Sequence, residues 1–262
     1  MPLTSGQVLQ ERYRIEALLA KGGMGAVYVA TDQTSSTPVA IKENLDASPE
    51  AREQFIREAQ VLHNLRHPNL PHVTDHFLLG EDGHYLVIDY IEGQDVGQIV
   101  KHRGTIAESQ ARDWILKVLD ALAYLHEKGV VHRDVKPSNI KVTPQGQVFL
   151  VDFGLVKVGG RLQETVKGAR GVTPGFAPPE QYGLGRSDAR TDLYAVGATL
   201  YTMLTGQTPP DALEIAADEA RLTPPRQLNP SVSRDMERIV LRAMKPQPAD
   251  RYQSAVEFAD AL

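Results

Sequence analysis

The sequence predicts an α+β protein with two parts: a small antiparallel sheet accompanied by one helix, and a larger part that is mainly helical. Short β-prone runs dominate roughly the first ninety residues. After Gly93 the apolar residues recur at helical spacing. The chain has 262 residues and 42% apolar content, enough for one or two packed domains. We therefore expect a boundary near Gly93, between residues 1–92 and residues 93–262.

Polar turns separate the predicted strands of the first part. Ala26–Ala30 and Pro38–Lys42 are β-prone runs, and the Ser- and Thr-rich residues between them indicate a turn. A further strand is predicted over Tyr85–Tyr90. These runs favour an antiparallel sheet with short connections.

The helix of the first part is predicted to begin at Ser48 and Pro49, because serine caps helices and proline suits the first turn. Three apolar residues then fall on one face: Phe55, Leu62 and Leu65. Glu58 shares that face, where an unpaired carboxylate is costly. We expect it either to pair with a cation, for which Lys42 is the natural candidate, or to lie at the rim in contact with water.

The second part is predicted to contain helices and one hairpin. Four apolar residues share a face of a helix: Trp114, Val118, Leu122 and Leu125. Gly129 is expected to end it. Val142 and Val148–Val151 then flank a hairpin turn. Further helices are predicted over Asp192–Thr205, Met236–Met244 and Ala255–Leu262.

Composition and charge exclude several classes of function. The net charge is −5, so no basic surface indicates nucleic-acid binding. The chain has no cysteine, which excludes disulfides and thiolate metal sites and fits a cytoplasmic location. The N-terminus lacks the basic start and apolar core of a signal peptide, and no apolar run is long enough to cross a bilayer. We expect a cytoplasmic protein without a membrane segment in this chain; an anchor outside it is left open.

The segment His132–Asn139 is the most informative in the chain. It places an acid, a cation and an amide within six residues: Asp134, Lys136 and Asn139. Pro137 would interrupt a helix, so a loop is predicted here. Phosphoryl transfer to a hydroxyl needs such groups, because an acid orients the hydroxyl, a cation steadies the moving phosphate and an amide oxygen can hold Mg²⁺.

Three weaker signals favour the same chemistry, and each has an ordinary structural explanation too. The glycine-rich stretch 21–27 would let backbone amides approach phosphate oxygens, or would form a simple hairpin turn. Lys42 ends a strand and would bind phosphate, or would be a solvated edge charge. Asp152, followed by Phe153 and Gly154, would hold a metal ion, or would be an ordinary turn acid.

Two residues and one long stretch have other predicted roles. His132 follows two valines and is predicted to form structural hydrogen bonds rather than to take part in catalysis. Asp192 is expected to cap its helix and also to support the segment that contains Asp134. The glycine-containing stretch from Gly154 to Ala177 is predicted to be a loop, and loops of this length are usually functional.

The order of the segments distinguishes these alternatives. Along the chain come the glycine-rich stretch, the strand lysine, the helix glutamate, His-Arg-Asp with its asparagine, Asp-Phe-Gly, and Pro178-Pro179-Glu180. Independent turns and edge charges would not line up in this way. From about Tyr13 to Leu262, the chain resembles the eukaryotic-type serine/threonine protein kinases, and most of all their bacterial members.

The resemblance implies a bilobal protein-kinase fold, with a five-stranded N-lobe sheet plus one helix and a mainly helical C-lobe. It implies that ATP and Mg²⁺ bind in a cleft whose hinge is Ile91–Gly93. It also implies protein substrates phosphorylated on serine or threonine, for which Lys136 is typical, and transient self-association during autophosphorylation. Asp134 would be the catalytic base, Lys136 would contact the γ-phosphate, and Thr173 would touch both.

Further roles follow from the same resemblance. Asn139 and Asp152 would hold Mg²⁺, while Lys42 would bind the α- and β-phosphates and pair with Glu58. Glu180 would pair with Arg251. Contacts to the rest of the nucleotide are implied for the phosphate-covering Gly22 and Gly25, the adenine roof of Val27 and Ala40, the gatekeeper Ile88, the backbone of Asp89 and Ile91, and Asp95 near the ribose.

Three positions depart from the family pattern. Ala20 replaces the first glycine of the glycine-rich loop, and Pro178 replaces the alanine of Ala-Pro-Glu. Lys141 stands where an apolar adenine floor is usual, and its methylene stem could lie under the base while its ammonium reaches outward. We expect Ala20 to have a modest effect on nucleotide binding, Pro178 to stiffen its segment while the glutamate remains, and Lys141 to affect ATP affinity but not the site itself.

Regulation and alternative functions are further hypotheses. Arg133, beside the catalytic acid, indicates activation by phosphorylation of the loop, for which Thr165 is the candidate site. The main alternative is a pseudokinase that binds ATP and partners without catalysis. A small-molecule kinase is a third alternative. Lys136 and the segment from Thr173 to Glu180, which is suited to holding a peptide, count against it.

Overall fold

A computed structural model describes residues 3–22, 25–44, 48–79, 83–152, 157–158, 172–183 and 187–262. The chain divides into two compact units. The first comprises Met1–His67 and Pro71–Ile91, and the second comprises Pro68–Leu70 and Glu92–Leu262. Among the sequence predictions, those for Phe153, Gly154 and Thr165 fall outside the described residues.

The first unit contains a six-stranded antiparallel sheet, one strand more than the resemblance implied. In the order β1-β2-β3-β4-β6-β5, its strands are β1 (Val8–Leu9), β2 (Tyr13–Gly22), β3 (Gly25–Asp32), β4 (Thr37–Asn44), β5 (Val73–Leu79) and β6 (Gly83–Asp89). The expectation missed β1 because two residues show no alternation. The turn to β2 places Gln10 and Glu11 at φ 51° and 52°. Glycine or asparagine usually occupies such left-handed positions, so the residues at this turn did not indicate it.

Strand alternation gives this sheet one buried face. In β3 every second residue is buried, and β4 follows the same alternation. The rings of Tyr13 and Phe77 stack at 5.8 Å, and those of Phe77 and Tyr85 stack at 5.3 Å. The intervening residues, which include Val27 and Lys42, are half-buried on the opposite face.

The helix of the first unit, α1 (Pro49–His63), begins where the sequence predicts. The Arg52 amide donates to the Ser48 carbonyl at 3.0 Å, so Ser48 occupies the N-cap position. Phe55 is partly buried and stacks on His84, while Leu62 is buried. The apolar face of α1 thus packs against β5 and β6.

The second unit is mainly helical. Its helices are α2 (Val96–Arg103), α3 (Glu108–Glu127), α4 (Ala189–Thr205), α5 (Ala212–Ala216), α6 (Pro225–Leu228), α7 (Arg234–Ala243) and α8 (Ala255–Ala261). Its short strands are β7 (Gln94–Asp95), β8 (Val130–Val131), β9 (Ile140–Val142), β10 (Val148–Leu150) and β11 (Lys157–Val158). Strands β9 and β10 form the predicted hairpin, in which Val142 lies opposite Val148. No helix in the described part of the chain is long and apolar enough to cross a membrane.

Helix α4 lies at the centre of the second unit and is buried from Thr191 to Thr205. It packs against α3 and α7, which explains why its sequence is apolar on all sides. The predicted start at Asp192 was wrong: Asp188 is the N-cap and accepts the Arg190 amide at 2.8 Å. The helix ends at Thr205, as predicted, and Gly206 follows it at φ 72°.

Candidate functional site

The segment His132–Asn139 runs from β8 to a short 3-10 helix, Pro137–Asn139, that leads into β9. A carboxylate from α4 holds its start. Asp192 accepts the backbone amide of His132 at 2.9 Å and that of Arg133 at 2.7 Å. Asp192 therefore supports this segment, as predicted, but it does so from inside α4 rather than as the helix cap.

His126, at the end of α3, completes this anchor. Its Nε2 lies 2.8 Å from Asp192 Oδ2, and the Asp192 side chain has no exposure to solvent. Burial by itself would raise the pKa of this carboxyl, but the hydrogen bond from His126 and the neighbouring donors outweigh burial and hold the pKa below its usual value. Sequence analysis missed His126; the available signal was its position four residues after Leu122 on a buried helix face.

The side chains of Asp134, Lys136 and Thr173 form a closed set of contacts. Thr173 Oγ1 donates to Asp134 Oδ1 at 3.0 Å, and Lys136 Nζ lies 2.9 Å from Asp134 Oδ2. Lys136 Nζ also donates to Thr173 Oγ1 at 3.1 Å. These are the contacts that the resemblance implied for Thr173. The arrangement holds one carboxylate between a hydroxyl and an ammonium group.

Asn139 also holds Asp134, through the backbone carbonyl and the carboxylate of that residue. Its Nδ2 donates to the Asp134 carbonyl at 2.8 Å and to Asp134 Oδ2 at 2.9 Å. Both donor hydrogens of the amide are thereby used, so the oxygen of the same amide is the atom left to accept or to ligate. Asn139 is itself buried, and its carbonyl accepts the Val151 amide at 2.8 Å.

His132 has the structural role that the sequence predicts. It is fully buried, and its Nδ1 accepts the Asp134 amide at 3.4 Å. Burial lowers the pKa of His132, which favours the neutral ring. The next residue, Arg133, has φ 69°, and its carbonyl accepts Gln181 Nε2 at 2.8 Å. Gln181 thus ties this segment to the 3-10 helix Pro179–Tyr182.

The chemistry of the available donors fits a magnesium ion that is shared with phosphate. Asn139 and Asp152 offer oxygen atoms, the ligand type that Mg²⁺ prefers. Asp152 is half-buried with φ 68°, an unusual conformation for a residue other than glycine. The described residues contain no cluster of three or more His, Cys, Asp or Glu side chains that could hold a metal ion by themselves.

The predicted ion pair of Glu180 and Arg251 is present and buried. Arg251 Nη1 lies 2.7 Å from Glu180 Oε1, and Arg251 Nη2 lies 3.0 Å from Glu180 Oε2. The remaining donors of Arg251 reach backbone carbonyls of Lys245, Arg190 and Pro246 at 2.7, 3.1 and 2.7 Å. All five guanidinium hydrogens therefore have acceptors.

In the first unit, strand register groups most of the predicted nucleotide-binding residues. Ala20 in β2 lies opposite Val27 in β3, Val27 lies opposite Lys42 in β4, and Lys42 lies opposite Leu86 in β6. Ala40 lies two residues before Lys42 and opposite Ile88. Directly opposed residues share a face of a sheet, so these side chains line the face away from the buried core.

Other predicted residues of the first unit are placed without a defined role. Gly22 ends β2 opposite Gly25, and a Cβ at Gly25 would overlap the Glu43 carbonyl oxygen, so strand packing already requires glycine there. Lys42 lies in β4 and the half-buried Glu58 in α1; their pairing stays a prediction. Asp89 donates its amide to the His72 carbonyl at 2.9 Å, and Ile91 ends the first unit.

Asp95 and Lys141 are neighbours in the second unit. They lie opposite each other in β7 and β9. Asp95 caps α2 by accepting the Gln98 amide at 2.8 Å, a role that the sequence did not indicate. Lys141 is half-buried, and its Nζ lies 3.4 Å from the Gly93 carbonyl. Part of the Lys141 side chain is therefore directed along β7 rather than fully into solvent.

The chain is similar to known proteins in sequence and in fold. The family model of the protein kinase domain matches residues 13–259. A probable serine/threonine-protein kinase of Corynebacterium efficiens is 35% identical over 97% of this chain and 41% of its own length. The serine/threonine-protein kinase PknA of Mycobacterium tuberculosis is 33% identical over 98% of this chain and 62% of its own length.

A solved structure described as the PpkA-294 apo form has a TM-score of 0.79 and 26% sequence identity, over 99% of both chains. The chain spans about two fifths of the length of the first curated relatives that it matches.

Proposed function

This chain belongs to the protein kinase domain family, and on that premise we propose that it transfers the γ-phosphate of ATP to serine or threonine hydroxyls of proteins. The curated relatives are named serine/threonine-protein kinases. The observation that carries the proposal is the set of contacts among Asp134, Lys136 and Thr173. A substrate hydroxyl placed beside Asp134 would meet a base and a cation at once.

Each member of this set has a proposed role in transfer. Asp134 would orient the substrate hydroxyl and accept its proton, while Lys136 would turn toward the γ-phosphate. Thr173 would hold the Asp134 carboxylate in place through its 3.0 Å hydrogen bond. Catalysis of this kind comes from positioning and electrostatic stabilisation, so these short contacts matter more than any single pKa.

The magnesium ion would neutralise charge on the phosphates, and Asn139 and Asp152 are the residues proposed to hold it. The Asn139 amide donates both hydrogens to Asp134, which directs its oxygen away from the base. Asn139 would thus link the position of the metal to the position of the catalytic acid. This linkage predicts that Asn139→Ala harms both Mg²⁺ dependence and transfer.

ATP binding is assigned to two sets of residues. In the first unit, Val27 and Ala40 would cover the adenine, and Lys42, supported by Glu58, would bind the α- and β-phosphates. Ala20, Gly22 and Gly25 would lie over the phosphates, Ile88 would act as gatekeeper, and the backbone of Asp89 and Ile91 would meet the adenine edge. In the second unit, Asp95 would approach the ribose, and the methylene stem of Lys141 would lie under the base.

Regulation and cellular setting complete the proposal. Phosphorylation of Thr165 in trans, through transient self-association, would recruit Arg133 and order the loop. If activity after full autophosphorylation is the same in Thr165→Ala as in wild type, this part of the proposal is wrong.

Because ATP is a cytoplasmic metabolite, we place the domain in the cytoplasm. Its partners are protein substrates rather than nucleic acid, since the net charge is −5.

The test incubates the wild-type chain with Mg²⁺ and γ-labelled ATP beside Asp134→Asn and the control Asp113→Asn. Asp113 is exposed on α3 and is not among the contacts of the proposed base, so its variant makes the same charge change outside that set. We expect label on serines or threonines with wild type and Asp113→Asn, and a loss of at least about a hundredfold with Asp134→Asn. ATP binding without any transfer by wild type would favour the pseudokinase, which none of the comparisons supports.

A further inference from the structure

A pocket of about 490 Å³ opens beside the proposed catalytic base. Its volume lies in the range of about 300–1,000 Å³ that is typical of ligand sites. Two of its wall residues, Lys136 and Thr173, also contact the Asp134 carboxylate. A group seated in this pocket therefore lies next to the proposed position of the substrate hydroxyl.

The pocket is assembled from separate elements of the second unit. Its wall includes Lys101 from α2, Ser138 from the 3-10 helix, Thr202 from the end of α4 and Thr208 beyond it. Gly97 lies one turn before Lys101, and because it has no side chain it does not fill the pocket. A Cβ at Gly97 would lie 3.0 Å from Asp95 Oδ1 and 3.6 Å from the Pro137 Cβ.

The charge of the pocket has one sign. Among the described residues that line it, Lys101 and Lys136 are cationic and none is acidic. Lys136 is already paired with Asp134 at 2.9 Å, so Lys101, exposed in the last turn of α2, is the cation that faces the pocket. The nearby Asp95 is engaged at the opposite end of α2, where it caps the helix.

The hydroxyl groups of the pocket, like its cationic charge, favour an anionic occupant. Ser138 and Thr208 carry hydroxyls that can rotate to donate to an anion. The Thr202 hydroxyl instead donates to the Ala198 carbonyl at 2.9 Å, so it supplies no donor to the pocket. A carboxylate in the pocket would meet one ammonium and two hydroxyl donors, whereas a guanidinium would meet no acidic acceptor.

We propose that this pocket selects the protein substrate by receiving an acidic side chain close to the phosphorylated serine or threonine, and that it rejects arginine and lysine there. The inference rests on the proposed function and narrows its substrate class. Lys136 and Thr173 line the pocket and also contact Asp134, and an extended chain advances about 3.3 Å per residue, so we expect the acidic residue within a few positions of the acceptor.

The first experiment measures kcat/KM for matched peptides with one acceptor serine. Glutamate, alanine or arginine is placed in turn at each of the three positions on either side. We expect one position at which glutamate exceeds arginine by about tenfold, because like charges placed together in an interface are strongly disfavoured. Lys101→Gln should shrink this ratio, and Lys101→Glu should bring it to one or below. Lys128→Glu, a reversal at the exposed end of α3, is the control that keeps the ratio.

A second pair of variants tests the pocket from its opposite wall. Thr202→Glu would introduce a carboxylate at a buried wall position and should shift the preference at the same peptide position toward arginine. Thr202→Gln has the same size without the charge and should leave glutamate preferred. If Thr202→Glu fails to fold, the Lys101 series carries the test by itself.

The outcomes separate this inference from the proposed function. Equal kcat/KM for glutamate, alanine and arginine at every position, with peptides still phosphorylated, would overturn the pocket assignment only. Binding of the same peptides, with the acceptor serine replaced by alanine, is measured by fluorescence anisotropy. Tighter binding of the glutamate peptide, lost in Lys101→Glu, would support the pocket even if no phosphate were transferred, and the proposed function would then be the part that fails.

Discussion

Two buried carboxylates lie near the start of α4, and they are neutralised in different ways. Asp192 is held by two backbone amides and by His126. Glu180 is held by both terminal nitrogens of Arg251 and by the Thr191 hydroxyl at 3.1 Å. The first carboxylate fixes a backbone conformation, and the second fixes how distant parts of the chain pack.

The difference determines what each carboxylate contributes. The backbone donors to Asp192 are the amides of His132 and Arg133, so a change in the charge of Asp192 acts one or two residues from Asp134, the proposed catalytic base. Arg251 lies 71 residues from Glu180 in the chain, so their pair joins distant parts of the helical unit, and none of the hydrogen bonds of Arg251 reaches the Asp134 set. We therefore expect damage to Asp192 to appear mainly in activity, and damage to Arg251 mainly in stability.

The largest expected effect on stability is that of Arg251→Met. Arg251 has no exposure to solvent, so its loss leaves Glu180 as an uncompensated buried charge and should lower the free energy of unfolding by about 3–5 kcal/mol. Urea unfolding measures this change. The double variant Arg251→Met with Glu180→Leu removes both charges and should lose less. A single variant as stable as wild type would contradict the role assigned to the pair.

Asp192→Asn should lower activity more than stability. The amide has one oxygen for the donors that the carboxylate accepts, and each unsatisfied N–H costs about 1–3 kcal/mol. The same change loosens the segment before Asp134 and should lower the rate of phosphate transfer at least about tenfold, since misplaced catalytic groups lose rate steeply. Transfer assays and urea unfolding are compared with those of Asp113→Asn. Full activity in Asp192→Asn would show that the segment holds its shape without this charge.

Acid should destabilise the region around Asp192 in two steps. Burial lowers the pKa of His132, so the unfolded chain binds the proton first and stability falls as the pH drops below about 6.5. The pKa of Asp192 is lowered by its donors, so its contribution is present above about pH 3.9 and is lost as the pH falls through the folded value. Urea unfolding between about pH 7.5 and 5.5 covers the first step, to which the partly buried His72, whose pKa is also lowered by burial, contributes as well. His132→Leu should flatten that slope, and the exposed His102→Gln should not.

The smallest expected effect is that of Arg238→Ala. Arg238 and Asp235 form a pair at 3.1 Å with side chains 78% and 79% exposed. Solvent screens such pairs, so the loss should stay below about 0.5 kcal/mol in the urea assay. The comparison with Arg251 shows how burial, rather than the presence of an ion pair, sets the size of the effect. A loss as large as that of Arg251→Met would contradict this explanation.

Sequence periodicity predicted the long elements of the fold and missed the short ones. The face of Trp114, Val118 and Leu125 located α3, because twenty residues give several repeats of the pattern. The two-residue β1 was missed, as was α2, whose start depends on the Asp95 cap. The start of α4 was placed too late because Asp188, not Asp192, forms the capping box.

The sequence by itself determined the order and identity of the groups proposed for catalysis, from Lys42 to Asp152, since these motifs are local runs of residues. It also indicated that Asp192 supports the catalytic segment. Only the tertiary structure decided that His126 shares that carboxylate, that Asn139 directs its amide hydrogens to Asp134, and that Lys101 faces the pocket beside it. Asp192 and His132 stand 60 positions apart in the chain. Hydrogen bonds depend on distances of a few ångströms, and contacts between residues far apart in the chain arise only when the packing of helices and strands has set those distances.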